Sequence, residues 1–302
     1  MLDIFEATSE AQHAEKLDNL QQPWSFNRKD GDVRCIRHVI NLAVQKALET
    51  LKAVPSDETE TYRMMYNSAI LPLEFSKMDV VSALYKLRRH IYIFRNRRIW
   101  RTALESQCTA AKIKYLKLSL DMPVRWNSTY NMIKKACSLQ TPITAVCAIQ
   151  DYDLSVKALM LSQGDWVILH GIQKLFAIFV HPSRKLQASK YPTMNYAIPQ
   201  YLQLLNKLEL LKTHFGATTV LGKACTSAFD KLNDYYNMIK KQNFAITATI
   251  CDPRFNFNVF QNVWLNTDGN ANRARVRKQF IDTFTQYDLR EQALQHAVED
   301  VE

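Results

Sequence analysis

The sequence predicts a mainly α-helical protein, and three observations lead to that fold class. Glycine and proline are scarce among the 302 residues, at 6 and 9, which disfavours a turn-rich β architecture. Leucine, alanine, lysine and glutamine, which form helices readily, are plentiful. Apolar residues recur at three- and four-residue steps in several segments, as they do on the buried face of a helix. Because 47% of the residues are hydrophobic, we expect these helices to pack around a core.

This periodicity predicts a series of helices along the chain. They cover residues 35–51, 79–107, 110–120, 127–140, 141–150, 166–179, 197–211 and 221–241 and the tail from 270. Asn127 or Ser128 is expected to cap the fourth helix, and Asp165 the sixth. Pro182 is expected to stop the sixth helix, since proline lacks the backbone donor. Residues 244–250 are partly β-branched and fit either a short strand or the start of a helix.

The composition also narrows the class of protein. The sequence has no run of about 18 uncharged apolar residues, so we expect no membrane partner. Its first ten residues carry acids and no basic segment, which is unlike a secretory signal. Six scattered cysteines are typical of reduced thiols inside a cell. There is neither a GxSxG segment nor a glycine-rich phosphate loop, so the sequence predicts no self-sufficient enzyme and no small-molecule substrate.

Positive charge suggests that the partner is a nucleic acid, with a membrane surface as the competing explanation. The formal net charge is +10, and residues 80–120 hold ten lysines and arginines but one acid, Glu105. A helix there can bury Leu84, Leu87 and Ile91 and display its arginines to phosphates. The alternative is an ordinary solvated face, although such a face usually mixes both signs of charge. The candidate DNA-binding residues in this stretch are Arg88, Arg89, Arg95, Arg97 and Arg98.

Two further pairs of residues suggest a site. Arg125 and Trp126 place a guanidinium beside an aromatic plane, which suits an unpaired base and its phosphate. The alternative is a buried Trp126 next to a surface Arg125, which residue types alone favour. Cys35 and His38 share one helical face, but structural zinc needs four ligands and no second pair lies at finger spacing. We therefore expect a structural contact between Cys35 and His38 inside the core, and no bound metal.

Five segments, taken in order, resemble the hAT family of DNA transposases. They are 34–45 (RCIRHVINLAVQ), 121–136 (DMPVRWNSTYNMIKKA), 161–179 (LSQGDWVILHGIQKLFAIF), 190–205 (KYPTMNYAIPQYLQLL) and 245–260 (AITATICDPRFNFNVF). In that family a Cys-x-x-His helix precedes an Asp-x-Pro-x-Arg-Trp-Asn-Ser-Thr block, and a Leu-Asp-Pro-Arg segment comes later. Here Cys251 replaces the leucine and Val124 the usual threonine.

The resemblance implies a ribonuclease H-like α/β core that is interrupted by a large helical insertion. In the intact family, three acids hold two Mg²⁺ ions that activate water and then a 3′-hydroxyl. The resemblance also implies that Trp126 stacks on a flipped base. It places the helix of Cys35 and His38 beside the active site, in a supporting role. Such a protein acts on DNA in the nucleus.

The acids of that triad are not all found. Asp3 has the spacing of the second acid in some relatives, although Ile-Phe-Glu follows it, and the other two acids fall outside the sequence. Asp121, Asp165 and Asp252 are acids near loops, where capping helices and turns is the ordinary role. We therefore expect a fragment that binds DNA without cutting it and needs no cofactor. The alternatives are a protein-interaction scaffold without DNA binding, and a nuclease whose acids are not recognised.

This interpretation divides the chain into three parts. Residues 1–60 form a partial ribonuclease H-like core with the Cys-x-x-His helix, and residues 61–245 form the all-helical insertion. Residues 246–302 return toward the core and stop before the dimerisation region. The predicted fold is thus mainly α, with remnants of the α/β core contributing a strand or two.

Overall fold

A computed structural model describes residues 35–52, 79–122, 125–149, 160–186, 193–261 and 269–299. Within these ranges the chain forms ten α-helices: α1 (Ile36–Thr50), α2 (Val80–Asn96), α3 (Arg98–Ala110), α4 (Trp126–Ser138), α5 (Gln140–Ile149), α6 (Gln163–Lys185), α7 (Ala197–Phe215), α8 (Val220–Ile239), α9 (Asn243–Ile250) and α10 (Gly269–Glu299). Short 3-10 helices occupy Met194–Tyr196 and Asn256–Gln261. The described residues contain no β-strand, which confirms the mainly α fold class. Residues 244–250, which fitted a strand or a helix, lie in α9, and none of these helices has the length and apolarity to cross a membrane.

The chain divides into two compact units. The first unit comprises Ile40–Ser183 and Lys207–Lys231, and α2, α3, α4 and α5 lie entirely within it. The second unit comprises the described parts of Met1–Val39, Arg184–Asn206 and Leu232–Glu302, with α9 and α10 entirely within it. The boundaries at residues 60 and 245 remain predictions, and the first of them lies outside the described residues.

The basic stretch that was predicted as one helix is split into two. Asp79 caps α2, because its carboxylate accepts a hydrogen bond from the Ser82 backbone N–H at 2.8 Å. Arg97 has extended backbone angles, φ −107° and ψ 113°, and separates α2 from α3. Its N–H still closes α2 by donating to the Ile93 carbonyl at 2.9 Å. The change of direction at Arg97 thus distributes the arginines over two helices.

The prediction of a helix over 110–120 is wrong. Lys112 adopts a left-handed conformation, φ 55°, and ends α3. The Ile113 N–H donates to the Cys108 carbonyl at 2.9 Å and the Lys112 N–H to the Thr109 carbonyl at 3.1 Å. This pair of bonds is the Schellman closure that satisfies the last carbonyls of a helix. Residues 113–122 then run without helical structure.

Two further helix boundaries differ from the predictions. Pro182 was expected to stop the sixth helix, but α6 continues to Lys185 and Pro182 is buried within it. A proline so near the end of a helix removes one backbone hydrogen bond, and the burial of its ring offsets that loss. Ser128 was one of two expected caps, whereas α4 begins at Trp126 after Arg125. The Ser128 hydroxyl instead bonds the Arg125 and Met122 carbonyls at 2.6 and 2.9 Å, which fixes the turn before α4.

Candidate nucleic-acid interface

Four exposed arginines surround the joint between α2 and α3. Arg95 lies in the last turn of α2, Arg97 at the joint, and Arg98 and Arg101 in the first turn of α3. In the part of the chain that the structure describes, Arg95, Arg98 and Arg101 form no ion pair. Guanidinium groups that are clustered and exposed create a positive potential that attracts phosphates. We name Arg95, Arg97, Arg98 and Arg101 the arginine joint.

Arg88 does not belong to this surface. Its Nε and Nη2 donate to the two carboxylate oxygens of Asp121 at 3.1 and 2.7 Å, and the Asp121 side chain is fully buried. The Thr129 hydroxyl, on α4, donates to the same carboxylate at 3.1 Å. The predicted DNA-binding role of Arg88 is therefore corrected: in this geometry its charge is neutralised inside the first unit, because Asp121 holds it in a bidentate pair.

Lys86 is also neutralised by an internal carboxylate. Its ammonium donates to Asp165 at 2.9 Å, and that carboxylate also accepts from the Ser162 backbone N–H and hydroxyl, each at 2.8 Å. Asp165 thus anchors the start of α6 against α2, but it is not the predicted cap: it lies in the first turn of α6, and its backbone N–H donates to the Ser162 hydroxyl at 3.1 Å. His90, one turn after Lys86, is buried, and its Nδ1 lies 2.9 Å from the Lys86 carbonyl oxygen. Burial lowers the pKa of His90 to about 4, so the ring is neutral at physiological pH.

Arg89, on α2, is buried, with 9% of its surface exposed. Its guanidinium lies 5.7 Å from the centroid of the Tyr92 ring, a cation–π contact within the same helix. The candidate arginines therefore fall into two groups. Arg88 and Arg89 face inward, while Arg95, Arg97 and Arg98 are exposed. Arg101 joins the exposed group; its signal in the sequence is the three-residue step from Arg98, which puts both on one face of α3.

Trp126 lies inside the first unit, next to an exposed Arg125. Its exposed fraction is 5%, and its ring meets Phe176 and Phe179 edge-on, with centroids 6.5 and 6.3 Å apart. This is the arrangement that residue types alone favoured, a buried tryptophan beside a surface arginine. Before stacking on a base, the indole would have to leave both phenylalanine rings, which together stabilise it in the core.

Cys35 and His38 do not form the expected contact inside the core. Both residues are exposed, at the start of α1. The prediction followed from their shared helical face, but the buried stripe of α1 runs instead through Val39, Ala43 and Ala47. Among the described residues, no three histidine, cysteine, aspartate or glutamate side chains are grouped to hold a metal ion.

The three candidate acids near loops do not fit the Mg²⁺ ions that the resemblance implies. Asp121 is neutralised by Arg88 and Asp165 by Lys86. Asp252 accepts two side-chain hydrogen bonds from Arg254, at 2.9 and 2.7 Å, which hold the pKa of its carboxyl well below the usual range, and a third from Asn195 at 2.6 Å. A Mg²⁺ site needs several converging carboxylates, and each of these acids already has a cation. Asp3, the remaining candidate, lies outside the described residues.

Comparison with known proteins agrees with the helical part of the resemblance. Residues 33–175 match the family model of the ZBED1 RNase-like helical domain. The chain is 25% identical over 211 residues to the "Putative transcriptional regulator tpeD" of the fungus Talaromyces stipitatus. That alignment covers 60% of this chain and 24% of the relative, so the chain aligns with about a quarter of the relative's length. No solved structure matches. Over residues 33–175, the protein is therefore similar to the RNase-like helical domain of the transposase-derived ZBED type.

Proposed function

We propose that this protein is a transposase-derived DNA-binding protein of the nucleus that does not catalyse transposition. The arginine joint carries the proposal, since it presents four guanidinium groups at the surface where two helices meet. A duplex carries one phosphate per about 1.7 Å of its axis, so closely spaced cations release several counterions on binding. The name of the relative, "Putative transcriptional regulator tpeD", fits a role in which DNA is bound but not cut.

The distribution of charge in the first unit supports this assignment. Lys86 and Arg88 are neutralised internally by Asp165 and Asp121, so the surface charge concentrates at the end of α2 and the start of α3. The buried ion pairs also fix α2 against α6 and, through Asp121 and Thr129, against α4. The planar guanidinium group is a pre-organised fork of donors, so little freedom is lost for each hydrogen bond that it makes to a phosphate. The absence of catalysis is supported by Asp121, Asp165 and Asp252, since each of these carboxylates already forms an ion pair.

Fluorescence anisotropy with a labelled duplex across a salt series tests the proposal. The double variant Arg95→Ala/Arg98→Ala removes two guanidinium groups from the joint. If each contacts one phosphate, the slope of log affinity against log salt falls by about 1.8, at roughly 0.9 per contact. The matched control, Lys46→Ala/Lys223→Ala, removes two exposed cations from α1 and α8 and leaves the slope nearly unchanged.

Two outcomes would overturn the proposal. One is equal salt slopes for the joint variant, the control and the wild-type protein, since the arginines would then contact no phosphate. The other is a failure of the wild-type protein to bind DNA even at low salt. That second result favours the alternative function, a helical protein-interaction scaffold without DNA binding.

A further inference from the structure

The second unit carries another cluster of like charges, on α10 and the turn that contacts it. Between Gly269 and Ile281 the sequence contains four basic residues and no acid. These four, together with the two lysines of the turn after α8, form what we name the α10 cluster: Lys240, Lys241, Arg273, Arg275, Arg277 and Lys278. All are exposed except Lys240, which is half-buried.

Specific contacts hold the two parts of the cluster together. The Gln279 side-chain amide donates to the Lys241 carbonyl at 3.4 Å and to the Asn243 side chain. Val276 is fully buried and anchors α10, while the Asn272 amide donates to the Phe260 carbonyl at 3.1 Å. The basic residues of α10 are therefore fixed beside the lysine turn.

The described contacts of the cluster do not neutralise its charge. Arg275 bonds the neutral side chains of Asn272 and Gln279, at 3.0 and 3.3 Å. Partial burial lowers the pKa of Lys240, and the charges of Lys241 and Arg275 lower it further. Such an arrangement costs stability unless an anion binds it.

A concave pocket opens beside the cluster. Its volume is about 530 Å³, and its walls are Phe257, Arg273, Ala274 and Arg277. Arg273 and Arg277 are four residues apart and so project from the same face of α10. Phe257 is held by an edge-to-face contact with Phe280, with ring centroids 5.8 Å apart. An aromatic ring and two guanidinium groups in one pocket offer a surface for a base and donors for its phosphates.

We propose that this pocket is a second nucleic-acid site, which binds an unpaired strand. Arg273 and Arg277 bind its phosphates, Phe257 contacts a base, and the rest of the α10 cluster guides the backbone. A pocket of this size accommodates a nucleotide, since small-molecule sites usually measure about 300–1,000 Å³. The inference depends on residues of the second unit alone, so it stands or falls independently of the arginine joint.

The test uses the full chain and a labelled oligothymidylate of about ten nucleotides, within the site sizes of single-strand binders. We expect the variant Arg273→Ala/Arg277→Ala to bind it at least about tenfold more weakly, since it loses two phosphate contacts. Phe257→Leu keeps an apolar side chain against Phe280 but removes the stacking surface, and we expect about tenfold weaker binding. The control variant Lys46→Ala/Lys223→Ala should bind the oligothymidylate as the wild-type protein does, because neither lysine belongs to the second unit.

The remaining outcomes overturn the inference in distinguishable ways. If Arg273→Ala/Arg277→Ala binds the oligothymidylate as tightly as the wild-type protein does, the proposed site is contradicted, whatever the duplex experiment shows. Binding weakened by the arginine variant but unchanged by Phe257→Leu contradicts the contact with a base. Polyglutamate that displaces the oligothymidylate at equal charge concentration would make the pocket a site for acidic peptides. Loss of duplex binding in the joint variant alone tests the proposed function and leaves this site untouched.

Discussion

Arg88 and Asp121 form a bidentate ion pair in the interior of the first unit, with contacts of 3.1 and 2.7 Å. Thr129 donates to the same carboxylate, so the pair connects three parts of the chain: α2, the segment after α3, and α4. Two charges taken out of water interact strongly but also lose their hydration, and removing one partner leaves the other without compensation. Replacing Asp121 should therefore lower the free energy of unfolding of this unit, because it leaves the charge of Arg88 buried without a partner.

We expect Asp121→Ala to lower the free energy of unfolding by about 3–5 kcal/mol, the usual cost of breaking a buried ion pair. Urea denaturation followed by circular dichroism measures the change. Arg95→Ala serves as the control, because its exposed side chain should change stability by less than about 0.5 kcal/mol. Equal stability of the two variants would mean that Arg88 finds another partner or reaches water when Asp121 is absent.

A second prediction concerns Trp126. Because its ring packs against Phe176 and Phe179, we expect Trp126→Ala to cost about 3–5 kcal/mol of stability. Trp126→Phe keeps an aromatic ring in the same place and should cost less. Thermal unfolding separates the two variants, and anisotropy with a hairpin or gapped duplex tests them for binding. If Trp126→Phe is stable but binds a gapped duplex as weakly as a joint variant does, the ring leaves the core to contact a base.

The third prediction follows from His90. Its folded-state pKa, about 4, lies below the ordinary value of 6.5, so the unfolded chain binds the proton more readily. The stability contributed by a neutral His90 is therefore complete above pH 6.5 and is lost as the pH falls toward 4. The loss is on the order of 3 kcal/mol, at about 1.4 kcal/mol per unit of pKa.

Chemical denaturation at several pH values measures this loss, and His90→Gln is the control because it cannot titrate. Charged groups from two helices act on the ring: Lys86 and Arg89 on α2, and Asp165 on α6. The three are retained in the variant. Subtracting the two pH profiles therefore isolates the histidine, and identical profiles would contradict its burial as a neutral ring.

The cysteines give a fourth prediction. Cys35 and Cys251 are exposed, whereas Cys108, Cys147 and Cys225 are buried. Burial raises the pKa of Cys137, Cys147 and Cys225 to about 12, which leaves little of the reactive thiolate at neutral pH. Ellman's reagent should therefore modify two thiols quickly in the native protein, and the others on unfolding. Fast modification of Cys137, detected by mass spectrometry, would contradict this picture.

A fifth prediction compares two glycines of the first unit. A Cβ atom at Gly222 would lie 2.0 Å from the Gly216 carbonyl oxygen, whereas one at Gly171 would meet the end of the Leu221 side chain at 2.5 Å. A backbone atom cannot move aside as easily as a leucine methyl group. We expect Gly222→Ala to cost roughly 3 kcal/mol, at the upper end for overpacked sites, and Gly171→Ala clearly less. Thermal unfolding measures the loss of stability in each variant, and a larger loss for Gly171→Ala than for Gly222→Ala would contradict the prediction.

Most of the helices could be predicted from the sequence, because their apolar residues follow the helical period closely. The errors have physical causes. Nothing in residues 95–98 breaks a helix by propensity, so the split at Arg97 has no local signal. Residues 113–120 alternate apolar and polar side chains for much of their length, which is typical of an extended segment. The alternation therefore predicts an extended segment, whereas the abundance of helix formers predicts a helix.

The candidate site was harder to predict, since burial depends on partners that are far away in the sequence. Arg88 and Arg95 look alike within one basic stretch, yet Asp121 draws Arg88 into the interior. Trp126 was correctly weighed as a buried residue from its type alone. The sequence does not predict the α10 cluster, because its lysine turn and its arginines are about thirty residues apart and the contact at Gln279 joins them only after folding.

The hydrogen bond between Thr50 and Ser227, at 2.8 Å, joins residues that are 177 positions apart in the chain. Both belong to the first unit, whose last piece is Lys207–Lys231 and whose earlier piece ends at Ser183. During translation, residues 40–183 are therefore made before the segment that contains the buried residues Leu208, Leu211 and Ala228, and this unit cannot complete its core until that segment follows. At about 5–20 residues per second, that delay lasts roughly a few seconds, with apolar surface uncovered. Nascent chains whose residue 231 has not yet left the ribosome should consequently depend on chaperones, and chains long enough to expose it should depend on them less.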